Sequence, residues 1–328
     1  MSSLNDRLLT YSLAINEALS QSMSEDRDVI LIGQGVTSPW YVGNTCFNLL
    51  LKFGAERVID TPISENACTG VAVGASMVGL KPIVVFPRMD FMLYAMDPIV
   101  NEAANWRYMT GGAVNVPIVF WAIINRGGEQ AAQHSQALHT FFTHVPGLKV
   151  VAPSNPKDAK GLMISAIKDP DPVVFIDDRW LYDEKGNVPR DPYQIPIGRA
   201  KVLQAGNDIT IVSFSYLVGV TLKAAKIMGE KGISPEIIDL RSLKPLDLEL
   251  IYKSCRKTRR LMVCDIGWKD YGMAAEIITA VSESGVSLMS PPRRIALPNC
   301  PAPASRSLEQ AYYPDSEMIS DAAISCFK

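Results

Sequence analysis

The run Val116-Pro-Ile-Val-Phe-Trp-Ala-Ile-Ile124 contains no charged residue, so a strand built from it suits water on neither face. Such a strand belongs in the middle of a parallel sheet, with helices covering both sides. Its surroundings meet that demand. Residues 29–32, 57–60, 81–86, 148–151 and 173–176 are short, β-rich apolar runs. Between them lie helical patterns: residues 11–23 with Leu13, Ala14, Ala18 and Leu19 on one face, residues 49–53, the segment after Ser64, and residues 156–167. A further long helix is expected from Asp90 towards Met109, stopped by Gly111-Gly112, and residues 40–48 are expected to form a loop. Strand alternating with helix specifies a doubly wound α/β sheet.

A chain of 328 residues divides into two domains at about 150 residues each. Gly186, Pro189, Pro192 and Pro196 stand among charges, a linker composition. The expected division is therefore a first domain at 1–185, a linker at 186–198 and a second domain at 199–328. Alternation resumes in the second, with strands at 209–214, 236–239 and 261–264 and helices at 218–228, 246–255 and 273–282. Lys and Arg number 32 against 34 Asp and Glu, so no net field recruits nucleic acid or an anionic membrane. The six cysteines show no CxxC pair and no metal-ligand spacing with the three histidines, as expected for reduced, mostly structural thiols. No apolar run approaches the roughly 20 residues of a membrane span. Residues 1–7 have neither a signal peptide's apolar core nor a transit peptide's acid-free basic pattern, and the expected location is cytoplasmic.

The most informative stretch is Asp60-Thr-Pro-Ile-Ser-Glu-Asn-Ala-Cys-Thr-Gly-Val-Ala-Val-Gly-Ala-Ser-Met-Val-Gly79. Pro62 keeps Thr61 out of helix, and after Ser64 Val71, Gly74, Ala75 and Val78 share a helical face. Gly70, Gly74 and Gly79 leave that face nearly bare, which predicts close approach of another backbone. Glu65 falls where a strand end passes into a helix start, the place where open α/β sheets bind ligands. Spacing alone suits Glu65 equally to complementing the helix dipole. Gly33-Gln-Gly-Val-Thr-Ser38 is only half a dinucleotide fingerprint, since Ser38 stands where the third glycine belongs.

Asp60 to Glu65 with its small-residue helix, Arg107-Tyr-Met-Thr-Gly-Gly112, Gln133-His-Ser-Gln136, His144-Val-Pro-Gly-Leu-Lys-Val-Val151, Asp158-Ala-Lys-Gly161, Ile237-Ile-Asp-Leu-Arg-Ser-Leu-Lys-Pro245 and Pro301-Ala-Pro-Ala-Ser305 follow one another in order. Together they resemble the β subunit of the thiamine-dependent E1 component of 2-oxo acid dehydrogenases, of the pyruvate, branched-chain and acetoin type. The resemblance implies a thiamine pyrimidine-binding domain with a parallel sheet, then a smaller domain like the C-terminal domain of transketolase. It also implies thiamine diphosphate and Mg2+ as cofactors.

Within that resemblance Glu65 matches the glutamate that hydrogen-bonds the aminopyrimidine, Phe91 the aromatic that stacks on it, and Ile63 a contact beside it. His134 matches an active-site histidine that meets substrate. His144 is read as structural, and His139 as facing outward from a helix. A potassium site is implied at Ile118, Ala166, Ile167, Asp169 and Asp171, although Asp169-Pro-Asp-Pro172 is also an ordinary turn. Gln34 stands where relatives carry an acid, and Arg88 and Asp90 depart from the pyruvate enzymes. The chain has no Gly-Asp-Gly to hold the diphosphate through magnesium, a motif the resemblance assigns to an α subunit. The implied assembly is α2β2 with self-association, active only with α. The implied activity is decarboxylation of a 2-oxo acid and transfer of the acyl unit to a lipoyl-bearing E2 protein or another acceptor. The alternatives are a split transketolase-like subunit moving a two-carbon unit to a sugar or aldehyde, and a non-catalytic assembly subunit.

Overall fold

The computed structural model describes residues 6–327, and the reading placed on residues 1–5 lies outside them. The first half holds strands β1 (Asp6–Thr10), β2 (Val29–Gly33), β3 (Val58–Asp60), β4 (Lys81–Phe86), β5 (Val119–Ile124), β6 (Lys149–Val151), β7 (Val173–Asp178) and β8 (Lys185–Pro189). The second holds β9 (Lys201–Gln204), β10 (Ile209–Ser213), β11 (Pro235–Asp239), β12 (Ser242–Lys244), β13 (Leu261–Trp268) and β14 (Arg293–Leu297). Every residue of β5 is buried, and the strand lies mid-sheet, paired in parallel with β4 and β7. The seven-stranded sheet runs β12-β6-β7-β5-β4-β2-β3, all parallel except β12 at one edge. The smaller, five-stranded sheet runs β14-β13-β10-β11-β9, parallel except for β9.

The stretch around the expected linker is ordered: residues 185–189 form β8, an antiparallel ribbon with β1; its charges stay in water while the pairing satisfies its backbone. Lys160 ties the following turn down, its Nζ donating to the carbonyls of Pro189 (2.7 Å), Arg190 and Asp191 (3.1 Å each) and to Glu17 (3.0 Å). Residues 40–48 are not a plain loop but hold helical turns at Pro39–Val42 and Gly43–Cys46. The long helix is not uniform: a 3-10 segment at Met89–Ala95 gives way to a π segment at Asp97–Ala103 and an α segment at Ala104–Met109. Pro98, which lacks an amide hydrogen, stands where the pitch changes.

The halves share one hydrophobic core and are clamped by two buried charge contacts. Arg126, just after β5, stands 3.0 Å from Asp178 at the end of β7, and both side chains are fully buried. The same guanidinium donates to the carbonyl of Ile266 in β13 (3.0 Å) and lies over the rings of Tyr216 (4.8 Å) and Tyr313 (5.5 Å). His139 corrects a further expectation, because it faces inward: its Nε2 is 3.0 Å from Asp265 of β13, and both groups are buried. Burial opposes charge on Asp265, but His139 and the amides of Gly267 and Ala274 outweigh it and hold the carboxyl below its usual range. A polar side chain on a helix turned towards a second domain has no water face to choose. All six cysteines are free thiols, four of them buried. Among the described residues no helix is long and apolar enough to cross a membrane.

Arg126→Met should cost about 3–5 kcal/mol in urea denaturation, because Asp178 stays buried without its cation. Arg126→Met with Asp178→Leu should recover most of that loss. An unchanged midpoint in the single variant would mean that Arg126 does not hold the halves together.

Candidate active site

The C-terminal ends of β5, β4, β2 and β3 open on one side of the large sheet, where a doubly wound sheet receives ligands. A cavity of about 290 Å³ lies there, lined by Gln34 after β2, Thr61 and Glu65 after β3, Arg88 and Phe91 after β4, and His134 after β5. Three residues from separate motifs, Glu65, Phe91 and His134, thus meet in one cavity. The rings of Phe91 and His134 touch edge to face, centroids 5.4 Å apart at 89°.

Glu65 is the first residue of the helix Glu65–Met77. Among the described residues its half-buried carboxylate makes no hydrogen bond or ion pair, and it lines the cavity. The lining also includes Val84, Val85 and Phe86 at the end of β4. The buried hydroxyl of Thr69, which lines the same cavity, likewise has no partner among the described residues.

Asp60 sets the rim on this side. Its carboxylate accepts from the Gly35 amide (2.8 Å) and the Thr37 hydroxyl (2.6 Å), folding the loop after β2 over the cavity. Gly35 has φ +66°, and a Cβ there would stand 2.5 Å from the Tyr41 ring. This glycine serves tight backbone packing against an aromatic ring, which accounts for a fingerprint without a dinucleotide site.

Two supports were not legible in the sequence. Asp90 is buried and accepts from the Gln136 side chain (2.7 Å) and amide (3.2 Å), fastening the loop that carries His134 to the turn that carries Phe91. Burial pushes its carboxyl up, against the lowering effect of those bonds. Glu129 and Ala131, in the loop before His134, hold left-handed backbone at φ +63° and +61°, a conformation costly for side chains with a Cβ. Helix Arg306–Tyr312 of the second domain braces this loop: Glu309 accepts the Glu129 amide (3.2 Å) and Arg306 stands 3.2 Å from its carboxylate. The only pointer was the proline-rich run ending at Ser305, directly before that helix.

Other expected residues lie elsewhere. Ile63 is 74% exposed on the loop leading to Glu65 and does not line the cavity. His144 is exposed at the end of its helix. Ile118, Ala166 and Ile167 are buried, while Asp169 and Asp171 share Lys149, with Nζ contacts of 2.7 and 3.1 Å. Arg107 stands 2.5 Å from Asp171. Two side-chain cations therefore answer these carboxylates. On the helix after Glu65, Thr69, Ala72, Val73 and Ser76 turn inward, while Val71 is 67% and Val78 83% exposed. Apart from the adjoining backbone, no described atom lies within 4 Å of a Cβ built on Gly70, Gly74 or Gly79, so the bare face is open.

Residues 8–185 match the family model of the transketolase pyrimidine binding domain, and residues 198–319 that of the transketolase C-terminal domain. The β subunit of the acetoin:2,6-dichlorophenolindophenol oxidoreductase of Bacillus subtilis is 40% identical over 326 residues, covering 95% of each chain. The mitochondrial pyruvate dehydrogenase E1 subunit β-1 of Oryza sativa subsp. japonica is 42% identical over 320 residues, covering 96% of this chain and 86% of that one. A split-gene transketolase solved as an inactive β4 tetramer superposes with a TM-score of 0.78 at 21% identity, covering 97% of this chain and 98% of that one, a likeness of fold.

Asp60→Ala should leave the Gly35 amide without its acceptor at a cost of about 1–3 kcal/mol. Amide exchange should speed up at Gly35 and Thr37 with little change in β4 or β5; unchanged exchange at Gly35 would show that Asp60 does not hold the loop.

Proposed function

The chain belongs to the transketolase-like family of E1 β subunits represented by the pyruvate and acetoin enzymes, and from that premise we propose that it is the β subunit of a heteromeric thiamine-diphosphate enzyme. It would act on a 2-oxo acid by decarboxylation and pass the acyl unit to a lipoyl group or another acceptor. The observation that carries this reading is the unpartnered carboxylate of Glu65 in a cavity shared with Phe91 and His134.

Those residues fit the pyrimidine end of the cofactor. Glu65 would hydrogen-bond a ring nitrogen and move a proton at that atom. Phe91 would hold the ring plane, with offset stacking adding about 0.5–1.5 kcal/mol beyond burial. His134, against the Phe91 edge, would hold substrate. Bound thiamine diphosphate supplies the carbanion chemistry, which is the cofactor's own.

The diphosphate end fits this chain poorly. Among the described residues no group of three or more His, Cys, Asp or Glu could hold a metal ion, and the sequence has no Gly-Asp-Gly. An α subunit bearing that motif would hold magnesium and the phosphates in an α2β2 assembly. The exposed Val71 and Val78 and the open glycines beside the cavity supply an apolar face for such a partner.

In the complex reconstituted with its α partner, Glu65→Gln should lower turnover by roughly 10²–10⁴, the range for losing an acid–base group. The melting temperature should barely move, because the helix start loses only about 0.3–1 kcal/mol of dipole interaction. Full activity with reduced stability would reduce Glu65 to a helix-start acid. Calorimetry on the isolated chain should find no micromolar affinity for thiamine diphosphate with magnesium. Such affinity, worth about −8 kcal/mol, would place the phosphate anchor here and overturn the division of the site.

A further inference from the structure

The cavity holds one charged group that the proposed chemistry does not use. Arg88 lies just past the end of β4 and lines the cavity beside Glu65, Phe91 and His134. It is half-buried. Its Nη1 donates to the carbonyl of the preceding Pro87 (2.8 Å), and its Nε is buried with no partner. It forms no ion pair among the described residues. Asp90, a nearby carboxylate that favours its charge, is directed at Gln136.

A second guanidinium adds to the positive field. Arg179 donates to the carbonyls of Trp40 (3.2 Å) and Tyr41, both of which line the cavity, and its own Nε is buried and unpartnered. Burial and then the Arg179 charge both act against the charge on Arg88. Asp90 near Arg88 and Asp177 near Arg179 offset part of this charge, but neither forms an ion pair with its arginine among the described residues, so an anion in the cavity would complete the set.

We propose that Arg88 selects the substrate by binding a second anionic group, a carboxylate or phosphonate, at the end of a 2-oxo acid remote from its reacting carbonyl. The inference rests on the function proposed above and names its substrate class. The reacting carboxylate is the poorer occupant, because its charge drains away as CO2 leaves. A cation there would stabilise the ground state more than the transition state. A remote anion keeps its charge throughout, so its binding costs the chemical step nothing.

The test uses the reconstituted α and β complex, comparing 2-oxoglutarate and 3-phosphonopyruvate with the singly charged 2-oxopentanoate. The unmodified complex should prefer one of the two doubly anionic acids, and which one identifies the second anion. In Arg88→Gln the ratio of kcat/KM for that acid over 2-oxopentanoate should fall by about 10- to 100-fold, the effect of losing one charge-assisted contact; Arg88→Lys should retain part of it. Calorimetry with glutarate, which has no reacting carbonyl, should detect binding that Arg88→Gln abolishes. No preference in the unmodified complex, equal loss for all three substrates, or a defect confined to thiamine diphosphate affinity would overturn the assignment of Arg88 while leaving the proposed function standing. Arg88-dependent glutarate binding without turnover of any 2-oxo acid would keep the anion site and overturn the proposed reaction. Absence of both would overturn both.

Discussion

A buried arginine cannot shed its proton, so Arg126 has to be met by charge and by ring faces wherever the chain places it. Asp178 meets it from the same sheet, and Ile266, Tyr216 and Tyr313 meet it from the second domain. The contact therefore fixes where the two halves sit. It also fixes the start of the loop that ends at His134, because that loop leaves β5 at Arg126. The other end of the loop is held by Asp90 through Gln136, and its middle by Glu309. A histidine on an otherwise free loop would sample many positions; bound at three points by both domains, it is held against Phe91.

The same economy governs the opposite wall. Parallel pairing aligns the ends of β2, β3 and β4, and Asp60 then turns one strand's last residue into the anchor for its neighbour's loop. Glu65 follows at once on a helix that packs on β4 through Thr69, Ala72, Val73 and Ser76, so β3, the Asp60 clamp and that packing together place it. Lys160 spends its charge on three carbonyls and Glu17, inside the chain. Glu65, the Thr69 hydroxyl and the Arg88 Nε have no such partner among the described residues, and all three residues line one cavity. A group already satisfied by the protein has little left to give a ligand, and these groups keep theirs.

The order of strands and helices was legible because it rests on local patterns. An apolar run such as residues 116–124 can only be a buried strand, and the string from Asp60 to Glu65 carries its own turn and helix start. Glu65, Phe91 and His134 were legible as separate positions, each from its own motif. What no local pattern holds is how distant segments meet. β8 and β12 are short, and each becomes a strand only because a partner far along the chain offers its edge. Val71 and Val78 share a helical face, but only the packing of the helix on the sheet decides that Ala72 and Val73 go to the core and the valine face stays open. His139 reads as a surface residue until Asp265, more than a hundred residues later, comes to lie beside it. The sequence by itself determined which segments form strands and helices, and the chemical types brought to the site. Only the tertiary structure decided that Arg88 stands unpaired in the same cavity as Glu65. Charge compensation depends on distance in space, and spacing along the chain does not record it.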